Sequence, residues 1–263
     1  MRSETTVGTV FDKGLFQWRD LHSSNPEQSK AFYTALLGWE IVPMPMGEFT
    51  YDMISVDGIP FGGIVVADPG VPDHWLSYIG TPDADAAAAK ITELGGSIIA
   101  SPTDIPGVGR FAIAQDPTGA VFAPMHWEHP TPGVDPFAET AHGGVVWNEL
   151  LTTDVDAAVA FYTALSGYTV IEDHFEEHGR HLSFAVDNDG VKTAIAGVWP
   201  LPDRRTTSAW GVYFRVPNLE EAITAIGALG GEVVTPIIET AEIGRLVAAH
   251  DPTGAWFNVH ETA

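Results

Sequence analysis

Apolar and polar positions run through the same succession twice along this chain. Each round opens on a strand, Leu15–Leu21 and then Val145–Leu151, where neighbouring side chains point to opposite faces. A helix follows each strand. Asn25-Pro26 supplies an N-cap with proline at the first helical position, and Asp154 takes the cap in the second round. Ala31, Phe32, Ala35 and Leu36 share one helical face by their i, i+1, i+4, i+5 spacing, and Gly38 and Gly167 stop the two helices. Strands are predicted next over Glu40–Pro43, Tyr51–Val56 and Phe61–Val66. A second strand–helix unit then begins with strand Trp75–Ile79 and an Ala-rich helix, Ala84–Leu94, ended by Gly95-Gly96. Two or three strands close the round. Asp-Pro-Thr-Gly reads as a hairpin turn: Asp accepts locally, Pro fixes φ, and Gly takes a positive φ.

The identities repeat as well as the pattern. Phe32-Tyr33-Thr34-Ala35-Leu36 returns as Phe161-Tyr162-Thr163-Ala164-Leu165, and Trp18 and Leu21 return as Trp147 and Leu150, all at an offset of 129. Leu94-Gly95-Gly96, Gly109-Arg110 and Asp116-Pro117-Thr118-Gly119-Ala120 return at an offset of 135. The chain is therefore a duplication with a net insertion of six residues in the second copy, placed around Glu172–Gly190. The copies are assigned to 14–128 and 142–261, with a Pro-rich, semi-extended linker at 129–141.

Composition narrows the partners. The 263 residues carry 12 basic and 35 acidic side chains, a net charge of −23. Such a chain repels nucleic acid and anionic membranes, since phosphate binding needs clustered Lys and Arg. No apolar run approaches the roughly 20 residues of a membrane helix. The N-terminal stretch lacks the apolar core of a secretory signal. There is no cysteine, which excludes disulfides, thiolate metal sites and a Cys nucleophile and fits a cytoplasmic protein. No Gly-rich phosphate loop opens a helix, so no nucleotide site is expected.

The cap–helix–Phe-Tyr-x-x-Leu-x-Gly segments at 25–38 and 154–167, with the Leu-Gly-Gly and Asp-Pro-Thr-Gly pairs at 94–119 and 229–254, resemble the vicinal oxygen chelate superfamily. That superfamily includes glyoxalase I, extradiol dioxygenases and bleomycin- or fosfomycin-resistance proteins. Trp147–Leu151 is similar to a segment of double-domain actinobacterial members labelled glyoxalase-like or hydroxylase. The resemblance covers nearly the whole chain. It implies an α+β fold of four βαβββ modules, paired into two cupped half-barrel, glyoxalase-like domains. Four modules in one chain make a monomer sufficient, and a dimer is also compatible.

Metal-dependent members of that superfamily place one metal in each cup. The positions that would bear their ligands map here to Trp18 and Trp147, Leu76 and Gly211, Ala123 and Asn258, and, more loosely, Gly63 and Ala196. None offers the His or carboxylate that a divalent ion requires. No metal and no cofactor is therefore expected. A displaced site of His22, His74 and His126 is the one metal arrangement the spacing allows.

Strand parity places Trp18, Asp20 and His22 on one face, and Trp147 and Glu149 on another. Tyr78 and Met125, then Tyr213 and Arg215, then Trp256, Asn258 and His260 line up in the same way. The expected cups hold aromatic walls and one carboxylate each beside a Trp, which suits a planar aromatic ligand. Asp20, His22 and Glu149 are the candidate acid/base groups; Trp18, Tyr78, Met125, Trp147, Tyr213, Arg215, Trp256, Asn258 and His260 are the candidate ligand contacts. The bland readings stand beside these: the Trp residues fill space, and a one-residue slip turns the carboxylates to solvent. Arg110 and Arg245 reach an anionic ligand or pair with surface acids, and the acidity of the chain favours pairing. The remaining histidines, among them His142, His181 and His250, are assigned to loops and strand ends. His174–Arg180 is a candidate lid.

The function expected is metal-independent binding of an aromatic or polycyclic molecule in specialised metabolism, with isomerisation, cyclisation or lyase chemistry on it. The alternatives are sequestration of a drug without chemistry and, lowest, a metal-dependent glyoxalase or dioxygenase.

Overall fold

The computed structural model describes residues 14–47, 49–128, 141–175, 179–188, 190–201, 207–240 and 243–262. The expected linker therefore lies outside the described residues but for Ala141, as does the tip of the candidate lid, 176–178.

Four modules follow one another. The first is β1 (Phe16–Ser23), α1 (Pro26–Leu37), β2 (Glu40–Met46), β3 (Phe49–Val56) and β4 (Ile59–Val66). The second is β5 (His74–Gly80), α2 (Ala84–Glu93), β6 (Ser97–Ile105), β7 (Gly109–Gln115) and β8 (Val121–Trp127). The third is β9 (Val145–Thr152), α3 (Val155–Ser166), β10 (Thr169–Phe175), β11 (Gly179–Asn188) and β12 (Val191–Pro200). The fourth is β13 (Ala209–Arg215), α4 (Leu219–Ala228), β14 (Glu232–Val233), β15 (Ile238–Thr240), β16 (Gly244–His250) and β17 (Trp256–Glu261). Four of the six extra residues of the second copy lengthen β11 and β12 to 10 residues each, against 8 in β3 and β4.

Local chemistry sets the helix ends. Asn25, Asp83, Asp154 and Asn218 each accept a hydrogen bond from the amide three residues on, at 2.9–3.4 Å, which satisfies one orphan donor per helix. Gly38 (φ 69°) and Gly167 (φ 72°) take the left-handed conformation that closes α1 and α3.

Within every module the strands make an antiparallel meander, and the last strand returns parallel to the first. The order is β2-β3-β4-β1 and β5-β8-β7-β6 in an eight-stranded sheet. It is β10-β11-β12-β9 and β13-β17-β16-β14 in a nine-stranded one, with β15 on β16. The parallel pairs set Asp20 opposite Gly63, and Glu149 opposite Gly197.

The chain forms two compact units, and each takes one module from each copy. One holds α2 with β6–β8 and α3 with β10–β12; the other holds α1 with β2–β4 and α4 with β14–β17. In the latter, Tyr33 of α1 is fully buried in an aromatic cluster. Its ring centroid lies 4.7 Å from Trp39, 5.6 Å from Trp75 and 5.4 Å from Phe257. In the former, Tyr162 of α3 sits 5.5 Å from Phe122, 5.6 Å from Phe184 and 5.3 Å from Trp210. Each such ring pair adds about 0.5–1.5 kcal/mol beyond area burial.

The Tyr hydroxyls are partnered alike. Trp75 Nε1 donates to Tyr33 at 3.2 Å, and Trp210 Nε1 to Tyr162 at 2.9 Å. Burial, and then the charge of Asp251, push the Tyr33 phenol well above its usual range; burial and Asp116 do so for Tyr162. Asp251 and Asp116 are the buried heads of the Asp-Pro-Thr-Gly turns. Asp251 Oδ1 accepts from the amides of Thr253, Gly254 and Ala255 and from the Thr253 hydroxyl, at 2.8–3.0 Å.

Asp251→Ala leaves those buried donors unmatched and is expected to cost about 2–3 kcal/mol in urea unfolding. Asp251→Asn, which keeps an acceptor oxygen, is expected to cost less than half of that.

Candidate functional site

On β1, Trp18, Asp20 and His22 share a face, as parity requires. Asp20 is 6% exposed. The Tyr51 hydroxyl, reaching from β3, donates to Asp20 Oδ1 at 2.5 Å, and Trp18 Nε1 donates to the same oxygen at 3.1 Å. Trp18 Nε1 also lies 2.6 Å from the Tyr51 oxygen. Burial first, then the charge of Asp20 and the hydrogen bond to it, hold the Tyr51 phenol far above the usual range. Tyr51 has room because β4 carries Gly63: a Cβ there would run into the phenol ring.

The second copy repeats this device with different groups. Glu149 of β9 is 7% exposed. Its Oε1 lies 3.2 Å from Nε2 of His181, which is 8% exposed and comes from β11. Strand pairing sets Met53 opposite Gly63 and Ser183 opposite Gly197, so Tyr51 and His181 occupy equivalent places. Here the space over the glycine is used by the carboxylate itself, since a Cβ at Gly197 would run into it. Trp199 of β12 packs beside His181, with ring centroids 5.2 Å apart. His181 thus corrects the expectation of a surface histidine at a loop or strand end. The insertion that shifts the repeat offset hides its equivalence to Tyr51.

His22 has a different companion from Asp20. It stacks on His74 with centroids 4.7 Å apart and planes at 16°. His22 Nε2 is buried without a hydrogen-bond partner. Burial, and then His74, push the ring down to about 4, opposed by Asp68. His74 Nδ1–H donates to the Pro72 carbonyl at 2.8 Å. The displaced His22–His74–His126 site is not assembled: among the described residues no group of three His, Asp or Glu could hold a metal ion. The positions that the resemblance maps to metal ligands carry Trp, Leu, Gly, Ala and Asn, none of which supplies a His or a carboxylate.

The other candidate contacts are placed as follows. Tyr78 and Met125 are buried, Tyr78 opposite Ala123 and Met125 opposite Gly80. Trp147 is half-buried. Trp256 covers Gly211 so closely that a Cβ there would meet its ring. Tyr213 pairs in register with Asn258, and Arg215 with His260. Asn258 Nδ2 donates to the Val212 carbonyl at 3.2 Å, and His260 Nε2–H to the Ile243 carbonyl at 2.6 Å. Arg215 lines a cavity of about 270 Å³ with His142 and Glu261. Arg110 pairs with Asp85 and Asp104, and Arg245 with Glu220, so both are surface ion-pair residues.

Sequence reasoning missed a second pair. Arg19 and Asn148, equivalent in the two copies, are almost wholly buried, and Arg19 Nε and Nη2 donate to Asn148 Oδ1 at 3.2 and 2.9 Å. Burial lowers the guanidinium to about 9.

A family model described as the Glyoxalase/Bleomycin resistance protein/Dioxygenase superfamily matches residues 20–123 and again 144–259. The chain is 31% identical over 263 residues to "Putative glyoxylase CFP32" of Mycobacterium tuberculosis (strain CDC 1551 / Oshkosh), covering 96% of this chain and 97% of that one. It is 32% identical over 284 residues to Anthracycline biosynthesis protein DauV of Streptomyces sp. (strain C5), covering 96% and 95%. The 2,3-dioxygenase LapB from Pseudomonas sp. KL28 matches the fold with a TM-score of 0.63 at 12% identity, over 95% of this chain and 93% of that one.

His22 gives a pH dependence. Its folded value, about 4, lies below the ordinary 6.5, so the unfolded chain binds the extra proton first. The stability it contributes is complete above about pH 6.5 and is lost as pH falls toward about 4. His22→Phe is expected to flatten the acid limb of the unfolding free energy, measured in urea, by about 1–2 kcal/mol over that window, solvent contact of the half-buried ring reducing the full linkage.

Proposed function

The chain belongs to the glyoxalase/bleomycin resistance protein/dioxygenase superfamily, and on that premise we propose that it transforms an aromatic or polycyclic small molecule in specialised metabolism by metal-independent acid/base chemistry. The observation that carries this reading is the pair of equivalent buried carboxylates, Asp20 and Glu149, each clasped by a side chain from the strand two along. A buried carboxylate beside aromatic rings is an arrangement suited to moving a proton on a planar ligand. The name of the relative DauV, an anthracycline biosynthesis protein, supports a fused-ring ligand. The step is an isomerisation, cyclisation or lyase reaction, in which no electron acceptor is consumed.

Sequestration without chemistry is the second reading. What favours it is Tyr51: a phenol held far above its usual range beside Asp20 makes a surface for binding and not for proton exchange.

A fluorescent anthracycline serves as the first probe. Half-buried Trp18 and Trp199 lie at the two carboxylate sites, so binding is expected to quench tryptophan emission saturably. Asp20→Asn and Glu149→Gln are expected to lower turnover of a fused aromatic ketone, one of them by about 100-fold or more. Turnover unchanged in both variants with binding intact would leave sequestration as the function. A stoichiometric divalent metal in the purified protein, with activity lost to a chelator, would overturn the metal-independent reading.

A further inference from the structure

With 35 acidic and 12 basic side chains in the chain, a cation has many carboxylates within reach. Lys30 pairs with Glu27 and Asp52, Lys90 with Glu93, Arg110 with Asp85 and Asp104, and Arg245 with Glu220. Arg215 has no carboxylate partner among the described residues. It is half-buried at the end of β13 and lines the cavity of about 270 Å³ with His142, Val216, Pro217, Glu261 and Thr262. We propose that this cavity is a binding site for a compact organic monocarboxylate, clamped by the Arg215 guanidinium. The proposal goes beyond the acid/base reading and does not depend on it, since it uses neither Asp20 nor Glu149.

Backbone bonding sets the walls. The Arg215 N–H donates to the Gly144 carbonyl, and the Arg215 carbonyl accepts from the Gly143 N–H, both at 2.8 Å. The Val216 N–H donates to the His260 carbonyl at 2.9 Å. Trp39 Nε1 donates to the Gly143 carbonyl at 2.8 Å, which pins the segment that carries His142. The Arg215 side chain takes no part in this bonding, so its guanidinium is not spent on the fold. The acid on the wall is engaged elsewhere. Glu261 Oε2 accepts from the Leu219 N–H at the start of α4, at 2.6 Å, and Oε1 lies 3.7 Å from Nη1 of Arg245. Glu261 therefore serves α4 and Arg245 and leaves Arg215 unneutralised.

The chemistry of the walls selects the ligand. A guanidinium presents a planar fork of N–H donors that meets a carboxylate at two points. The like charge of Glu261 raises the cost of each further negative charge, which favours a monoanion over a phosphate dianion. The volume lies just under the roughly 300–1,000 Å³ of drug-sized sites and exceeds what an inorganic ion fills, so the anion brings a small organic body with it. Val216 and Pro217 give that body apolar surface to lie against, and His142 adds a ring N–H donor. A net charge of −23 repels anions, so saturable uptake of one requires a local cation and cannot arise from general attraction.

The test is calorimetric titration of the full-length protein with benzoate in about 150 mM salt, beside benzamide, its neutral counterpart, and inorganic phosphate. Benzoate is expected to bind saturably with a dissociation constant of about 1 mM or tighter, and the other two at least about tenfold more weakly. Amide chemical shifts followed during the titration are expected to change most at His142, Arg215 and Thr262. Arg215→Gln is expected to weaken benzoate binding by about tenfold or more, and Arg215→Lys, which keeps the charge and loses the fork, by about threefold to fivefold. Arg110→Gln removes the same charge from a surface ion pair and is expected to change the affinity by less than about twofold. Circular dichroism checks the fold of each variant, and if Arg215→Gln fails to fold, Arg215→Lys decides the matter. No saturable binding of benzoate, benzamide or phosphate binding as tightly as benzoate, or an affinity untouched by loss of Arg215 overturns the site. None of those results bears on turnover at Asp20 or Glu149, which is read separately.

Discussion

The clasp between a helix tyrosine and the head of an Asp-Pro-Thr-Gly turn is what the rest of the structure depends on. Tyr33 comes from the first copy and Asp251 from the second, while Tyr162 and Asp116 make the reciprocal pair. Each tyrosine is also held by a tryptophan indole, Trp75 or Trp210, within a packed aromatic cluster. A βαβββ module presents one apolar helix face and one apolar sheet face. The clasp buries these by borrowing a module from the other copy. Part of the polar cost of burying an Asp is offset inside the turn, where its Oδ1 takes up the amides of the loop it heads, while Oδ2 is buried without a hydrogen-bond partner. With those faces committed to the core, side chains of the opposite parity on β1 and β9, Asp20 and Glu149 among them, point to the other face of their sheets.

Those strands show how a frame stays constant while its furnishing changes. The same three positions, on the first, third and last strands of a module, read Asp20, Tyr51 and Gly63 in one copy and Glu149, His181 and Gly197 in the other. The carboxylate gains one methylene, and a phenol gives way to an imidazole. Neither change disturbs the ladder, because each is accommodated in the volume a glycine leaves. Side chains on one sheet face can therefore diverge without any cost to backbone pairing.

Much of the fold was legible along the chain, because its signals are local. Caps at Asn25 and Asp154, glycines at 38 and 167 and the Asp-Pro-Thr-Gly turns act within five residues of themselves. Parity alone put Asp20 and Glu149 beside Trp18 and Trp147, and both carboxylates are buried. The partners were not legible. His181 lies inside the stretch where the repeat offset changes, so nothing linear aligned it with Tyr51; strand register did. Spacing does bring His22 and His74 into one group, and their rings stack across the first strands of successive modules, but His126 does not complete a metal-holding set among the described residues. Nor does an offset reveal that a motif in one copy packs on the other copy's turn.

The buried pair of Arg19 and Asn148 has a consequence for how this gene can change. These two residues are the same position counted in each repeat, and they touch. Recombination that copied one repeat over the other would set arginine against arginine in a dry interior, or leave two amides where a guanidinium had stood. The first product would bury two like charges side by side; the second would pair two amides and leave the volume of a guanidinium unfilled. The contact therefore ties each repeat to a residue that the other does not carry.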